Sequence, residues 1–329
     1  MRIVRRVLLG VGALFLVFVL LIGFLFFTTP EPRGPLEGWT RLADLPVGRG
    51  EVASAVAGDR LFVIGGLQGG FAGTTDRVDV YDASEDAWTE GPPLPEPRHH
   101  AAAAAIGDTI YVTGGSRKAT DWTPQTNVWA WRADAFEWHV LDPLPEGRMA
   151  HQLLEVDGRL FAIGGRGGDD VLIFDPAEGW SRGAPIPEAR DHLAALVEPP
   201  GPAEDGARIY AIGGRNEEVL SRVDVYDVGA DVWSGGPELP IPMSAMAASS
   251  AGGRIHVVGG EDPSTFGGGV IQAHYVLNAG WEEAPLPIVA AHGSAWGVIE
   301  DRLVIAGGAL RQGALSVLAW TGVTQRYDA

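Results

Sequence analysis

The sequence predicts an all-β protein, a six-bladed propeller of four-stranded antiparallel blades preceded by one transmembrane helix, on three observations. Six apolar runs end on paired glycines, whose first members are Gly65, Gly114, Gly164, Gly213, Gly259 and Gly307, at spacings of 49, 50, 49, 46 and 48. Each doublet follows a tryptophan (Trp39, Trp88, Trp138, Trp180, Trp233 or Trp281), by 26 residues in five cases and by 33 in the fourth. The local signals inside each unit are those of strands, and self-similarity at this period marks a repeat architecture.

The first segment differs in kind. Val7 to Phe27 holds 21 residues without a charge, behind Arg2, Arg5 and Arg6. That length suits a bilayer-crossing helix, and the arginines place the N-terminus in the cytoplasm. Residues 1–28 therefore read as an uncleaved signal-anchor rather than a cleaved signal peptide, whose apolar core is shorter and ends at a small-x-small site. Residues 29–37 form a Pro-rich spacer, and residues 38–329 the propeller. The sequence thus predicts a single-pass membrane protein with the propeller outside the cytoplasm, periplasmic or at the cell surface.

Composition narrows the function. The net charge is −18, and past residue 34 it is −21, from 20 basic and 41 acidic residues. A nucleic-acid partner is excluded, because phosphate binding needs a basic face. The chain has no cysteine, which rules out disulfides, Cys-ligated zinc and thiol nucleophiles.

Each repeat then follows one order. In 98-RHHAAAAAIGDTIYVTGG-115 a run of small residues reaches a tight Gly-Asp turn, and a β-branched and aromatic run closes on Gly-Gly. A variable loop, a third strand such as 77-RVDVYDA-83 and a fourth strand opening on the tryptophan complete the unit. The glycines read as structural, allowing close backbone approach or φ > 0 where the strand ends. Paired glycines, an aromatic in V-D-V-Y-D and then a tryptophan resemble the Kelch repeat across residues 38–329. Phe174 replaces the tyrosine in the third unit, Trp129 and Trp131 stand there in the second, and 323-VTQRYDA-329 is degenerate. No tryptophan strand follows that last segment, while 38-GWTRLADLP-46 has no blade before it. The N-terminal strand should therefore complete the last blade and leave no open edge.

Chain direction puts the loops leading into each blade on the same face as the loops after Gly-Gly. A rigid scaffold with divergent loops on one face is where binding resides. The lead-in loops read 46-PVGR-49, 95-PEPR-98, 145-PEGR-148 and 187-PEAR-190. Arg49, Arg98, Arg148 and Arg190, with the loop residues Arg166, Arg215, Trp122 and His192, are the candidate ligand-binding set. Guanidinium groups bind carboxylates in bidentate fashion, so the expected ligand is anionic. The arginines also have a purely architectural reading, bridging blades or pairing with Glu96, Glu146 and Glu188. His99, His100, His151, His192 and His292 gather near the same loops but show no ligand spacing. No metal and no cofactor are expected.

Three functions follow. The first is a binding module for a protein, a peptide or an anionic glycan, since Kelch adaptors bind acidic peptides through arginines on this face. The second, implied by resemblance to exported bacterial Kelch propellers, is a sialic-acid mutarotase using Glu217, Glu218 or Glu261 with His192, Arg215 and Arg166. The third is a structural component of an envelope complex. The cross-linked cysteine of the copper-radical oxidases and the Asp boxes of sialidases are both missing.

Overall fold

The computed structural model describes residues 12–20, 37–69, 73–133, 135–198, 206–264, 270–312, 316 and 319–328. The chain falls into two units, Met1–Glu31 and Pro32–Ala329. In the first, residues 12–20 are helical. Among the described residues no helix is long and apolar enough to cross a membrane. The rest of the expected anchor, and residues 29–36 of the spacer, lie outside them.

The second unit contains six four-stranded antiparallel sheets. Blade one runs Ala53–Ala57, Arg60–Ile64, Val78–Asp82, Ala87–Glu90, from the axis outward. Blades two to five open on His99–Ile106, Gln152–Val156, Ala194–Glu198 and Ala247–Ala251. Blade six takes Ala295–Ile299, Arg302–Ala306 and Thr324–Tyr327, and its outer strand is Trp39–Arg41 from the other end of the unit. The closure expected from the sequence is thus present, with Trp39 opposite Tyr327 and Arg41 opposite Gln325.

The second strand of each blade is buried on both faces, as Leu61, Phe62, Val63 and Ile64 show at 0–1% exposure. Apolar side chains cluster between neighbouring blades rather than around one centre. One cluster joins blades one and two, another blades five and six, another blades six and one. The innermost strands approach the axis closely, which favours small residues such as Ala101–Ala105, and they enclose a channel of about 300 Å³.

The repeated residues tie each blade to the next. All six tryptophans donate their indole N–H to a carbonyl of the neighbouring blade, Trp88 to Ala43 and Trp138 to Pro92 among them, at 2.8–3.2 Å. They are bridges between blades, and most are only half-buried, rather than simple core. The V-D-V-Y-D aromatic packs on the tryptophan of its own blade, Tyr81 on Trp88 and Tyr226 on Trp233, with centroids 5.2 and 4.9 Å apart.

Gly-Gly is explained in the same way. Gly66 N–H donates to the Arg98 carbonyl of the next blade at 2.7 Å, and the other five doublets make the equivalent bond at 2.8–3.0 Å. At Gly65, with φ +63, a Cβ would lie 2.4 Å from that carbonyl oxygen. Both readings of the doublet, positive φ and close approach, hold at once.

Candidate functional site

The lead-in loops form a second circle at one end of the channel. Two positions after each lead-in residue the backbone turns left-handed, at Glu51, His100, Ala150, His192, Ala245 and Gly293, with φ between 52 and 60. Each of these N–H groups donates to the carbonyl of the equivalent residue in the preceding blade, at 2.7–3.0 Å, and the circle closes from Gly293 to Glu51. The six residues share the lining of one small cavity at the channel mouth. The ring is architectural, since alanine and glycine also occupy it. What is particular to this chain is the placing of Glu51, His100 and His192 there.

Single-residue bridges set the lead-in loops beside the loops after Gly-Gly, with Met149 opposite Arg166, Asp191 opposite Arg215, Ser244 opposite Glu261 and His292 opposite Ala309. Antiparallel pairing therefore places the first residues after each doublet at the rim of the ring.

The four lead-in arginines do not reach that rim. Arg49, Arg98, Arg148 and Arg190 are 0–2% exposed. Arg49 bonds Asp79 and the Gly65 and Val63 carbonyls, and Arg190 contacts Asp224 and bonds the Gly213 and Ala211 carbonyls. Arg148 holds Glu146 and the Gly164 carbonyl, and Arg98 holds Glu96 and Asn127 while lying over the Trp129 ring at 4.6 Å. The structure therefore places these four expected ligand-binding residues inside the blades rather than on the open face. A buried guanidinium needs partners for its donors, and strand-end carbonyls and local carboxylates supply most of them, the Nε of Arg98 and of Arg148 remaining without one.

The other four candidates come together. Arg166 is bonded to Asp191 at 2.7 Å and lies over the Trp122 ring at 5.2 Å. Trp122 packs against His100, centroids 5.0 Å apart, and His100 against His192 at 4.9 Å. Arg215 bonds Glu261 at 2.6 Å and donates to His192 Nε2 at 2.9 Å, while His192 Nδ1 bonds Asp191. A cleft of about 280 Å³ beside them is lined by Arg166, Asp169, Asp191, Arg215 and Asn216. Of the acids proposed for acid–base work only Glu261 joins the cluster, and Glu217 and Glu218 are exposed on their loop. His151 instead bonds Thr113 Oγ1, away from the ring.

Glu51 was invisible to motif reading, yet it sits at the centre. His100 Nε2 is 3.1 Å from one of its oxygens and His292 Nδ1 is 3.3 Å from the other. Burial disfavours the Glu51 carboxylate, but the surrounding imidazoles outweigh it and hold the group well below the usual carboxylate range. Burial, aided by the neighbouring His192, His99 and Arg215 and opposed by Glu51, pushes His100 well below the usual histidine range. For His292 burial is outweighed by Glu51 and Glu261, and its pKa rises. Burial likewise opposes the Asp191 carboxylate, and His192 and Arg166 overcome it. Counting two residues on from each lead-in arginine reaches Glu51, His100, Ala150 and His192, which marks equivalent positions in the repeats but not that three of them meet.

Comparison with known proteins bears on the scaffold. A family profile described as the Kelch motif matches residues 48–95, 97–145 and 200–240. Kelch-like protein 35 of Mus musculus is 34% identical over 139 residues, covering 40% of this chain and 22% of that protein. Kelch-like protein terF of Aspergillus terreus is 28% identical over 314 residues, 87% of this chain and 68% of its own. The chain thus spans less than a quarter of the mouse relative. The solved structure of YjhT superposes with a TM-score of 0.70 at 17% identity, over 86% of this chain and 96% of that one, a likeness of fold.

Proposed function

We propose, from the premise that this chain is a Kelch-repeat β-propeller, that its loop face is a recognition surface for an anionic partner. Kelch propellers are protein-interaction modules, so an acidic peptide segment is the first candidate and an acidic glycan the second. One observation carries the reading: Arg166, 47% exposed, is stacked on exposed Trp122 at the edge of the cleft. A cation held against an aromatic face offers a carboxylate both a charge and a flat apolar surface. Arg215 lies deeper and extends the same cleft. The uncharged stretch from Val7 to Phe27 supports a propeller held to a membrane from its outer side.

The test is calorimetry on the full chain in detergent, with panels of acidic peptides and acidic sugars. Arg166→Ala and Trp122→Ala should each weaken the anion that binds by about tenfold or more, the worth of one charge-assisted contact. If no anion binds, or if both variants bind like the parent, the reading fails.

A second reading draws on the carboxylate–imidazole pairs Glu51–His100 and Asp191–His192 close to Arg166 and Arg215. An acid and a base beside an arginine suit ring opening of an anionic sugar, as in a sialic-acid mutarotase. NMR measurement of anomer exchange in sialic acid tests it, with acceleration lost in Glu51→Gln expected and an unchanged exchange rate refuting it.

A further inference from the structure

The hydrogen bonds around the ring dictate which histidine nitrogens carry protons. His99 Nε2 lies 2.9 Å from the Lys118 carbonyl, which can only accept, so that nitrogen is the N–H and Nδ1 of the neutral ring is bare. His100 Nδ1 lies 2.5 Å from that bare nitrogen and must be the donor. The Nε2 of neutral His100 is then bare as well, and it faces a Glu51 oxygen at 3.1 Å. His192 donates from Nδ1 to Asp191, so its Nε2 carries no proton and accepts from Arg215. His292 donates from Nε2 to the Arg311 carbonyl at 2.7 Å, and its buried Nδ1 has no well-formed hydrogen bond while facing the second Glu51 oxygen.

The lone pair of His100 Nε2 thus faces the Glu51 carboxylate with no proton between them, and His192 Nε2 beside them accepts only from Arg215. Such an arrangement is repulsive unless a cation enters it. Glu51, His100 and His192 come from three different blades, and one donor atom from each lies within 4.8 Å of the others. We propose that Glu51, His100 and His192 form a site for a divalent transition-metal ion of the zinc class at the mouth of the channel, with coordination positions left open toward the loop face.

The donor set suits such an ion. Imidazole nitrogen and carboxylate oxygen bind zinc at about 2.0–2.2 Å, so ligand atoms stand roughly 3 Å apart, as the His100 and Glu51 atoms already do. Metal-bound histidines characteristically donate their outer N–H to a carboxylate or a carbonyl. Asp191 performs this for His192, and His99, relayed to the Lys118 carbonyl, performs it for His100. Arg215 occupies His192 Nε2 and must release it, retaining its bond to Glu261 at 2.6 Å. Two His and one Glu with open positions is the pattern of catalytic rather than structural sites. The sequence spacing gave no hint of this, because the ligands lie on separate repeats and meet only through ring closure.

The inference does not rest on the anionic-ligand reading, since its test contains no ligand but the metal. The full untagged chain in detergent is stripped with EDTA and titrated with Co²⁺, followed by visible absorption, and then with Zn²⁺. One Co²⁺ per chain with visible d–d bands, displaced by Zn²⁺, is expected. Glu51→Gln, which keeps the shape, should abolish the bands, and Asp191→Asn should weaken binding by about 10–100-fold while the ligands remain. Absence of saturable one-to-one binding overturns the proposal. So does binding that persists in Glu51→Gln, provided that variant melts as a folded protein.

Discussion

Replacing Arg49 with alanine distinguishes a scaffold residue from a ligand-binding one, and its effect can be worked from its contacts. The Arg49 side chain is fully buried and donates to Asp79 at 2.6 Å, the Gly65 carbonyl at 2.9 Å, the Val63 carbonyl at 3.0 Å and the Val47 carbonyl at 3.3 Å. Alanine strips the donor from these carbonyls and leaves Asp79 to Arg77, which holds it at 2.6 and 2.8 Å. Removing one partner of a buried ion pair costs about 3–5 kcal/mol, and the remaining Arg77 argues for the lower end. Unfolding entropy of about 2.1 cal/mol/K per residue over about 290 residues amounts to about 0.6 kcal/mol/K, so about 3 kcal/mol lowers the melting temperature by about 5 °C. Arg166→Ala is the counterpart. Its guanidinium is half-exposed, and His192 and Arg215 still face the buried Asp191 without it, so the loss is about 1 kcal/mol and the melting point should move by less than about 2 °C. The assay is thermal melting by circular dichroism at one scan rate, paired with anion binding. Arg49→Ala should melt early and still bind, and Arg166→Ala should melt normally and bind poorly. An Arg49→Ala protein that melts with the parent and loses anion binding would refute the argument.

Deleting residues 38–46 removes the outer strand of blade six, including Trp39 at 3% exposure and its bond to the Pro285 carbonyl. Loss of a buried tryptophan alone costs about 3–5 kcal/mol, so the melting point should fall by more than about 5 °C, and an unchanged curve would disprove ring closure. His151 supplies a pH dependence: burial, aided by Arg148, pushes its pKa down from 6.5 to about 3. The group is depressed in the folded state, so its contribution is full above 6.5 and is lost as the pH falls toward 3. Between pH 6.5 and 4.5 the parent should lose about 2 kcal/mol more than His151→Gln, because the slope approaches about 1.4 kcal/mol per unit only below the unfolded pKa, in urea unfolding measured at both pH values. Equal losses would show that His151 is not held neutral.

The site was legible only in part. Arg166, Arg215, Trp122 and His192 were visible because they interrupt a regular scaffold at loop positions. Glu51 and Asp191 escaped notice because neither lies in a motif. Their significance comes from which blades their loops face.

The scaffold itself was written in one dimension. Gly-Gly, the V-D-V-Y-D aromatic and the tryptophan each answer a requirement that recurs in every blade: close approach of the next blade, packing on the outer strand, and an indole bridge across the gap. Period, strand order, closure by residues 39–41 and the loop-bearing face all follow from that repetition. The tertiary structure decided what the polar residues do. A lead-in arginine has the same sequence context whether it points into the opening or into its own blade. Only the positions of the Asp79, Asp224 and strand-end carbonyls reveal that it turns inward. Conversely, Glu51, His100 and His192 become neighbours because a closed circle brings three distant repeats to one axis, and no local pattern encodes that meeting.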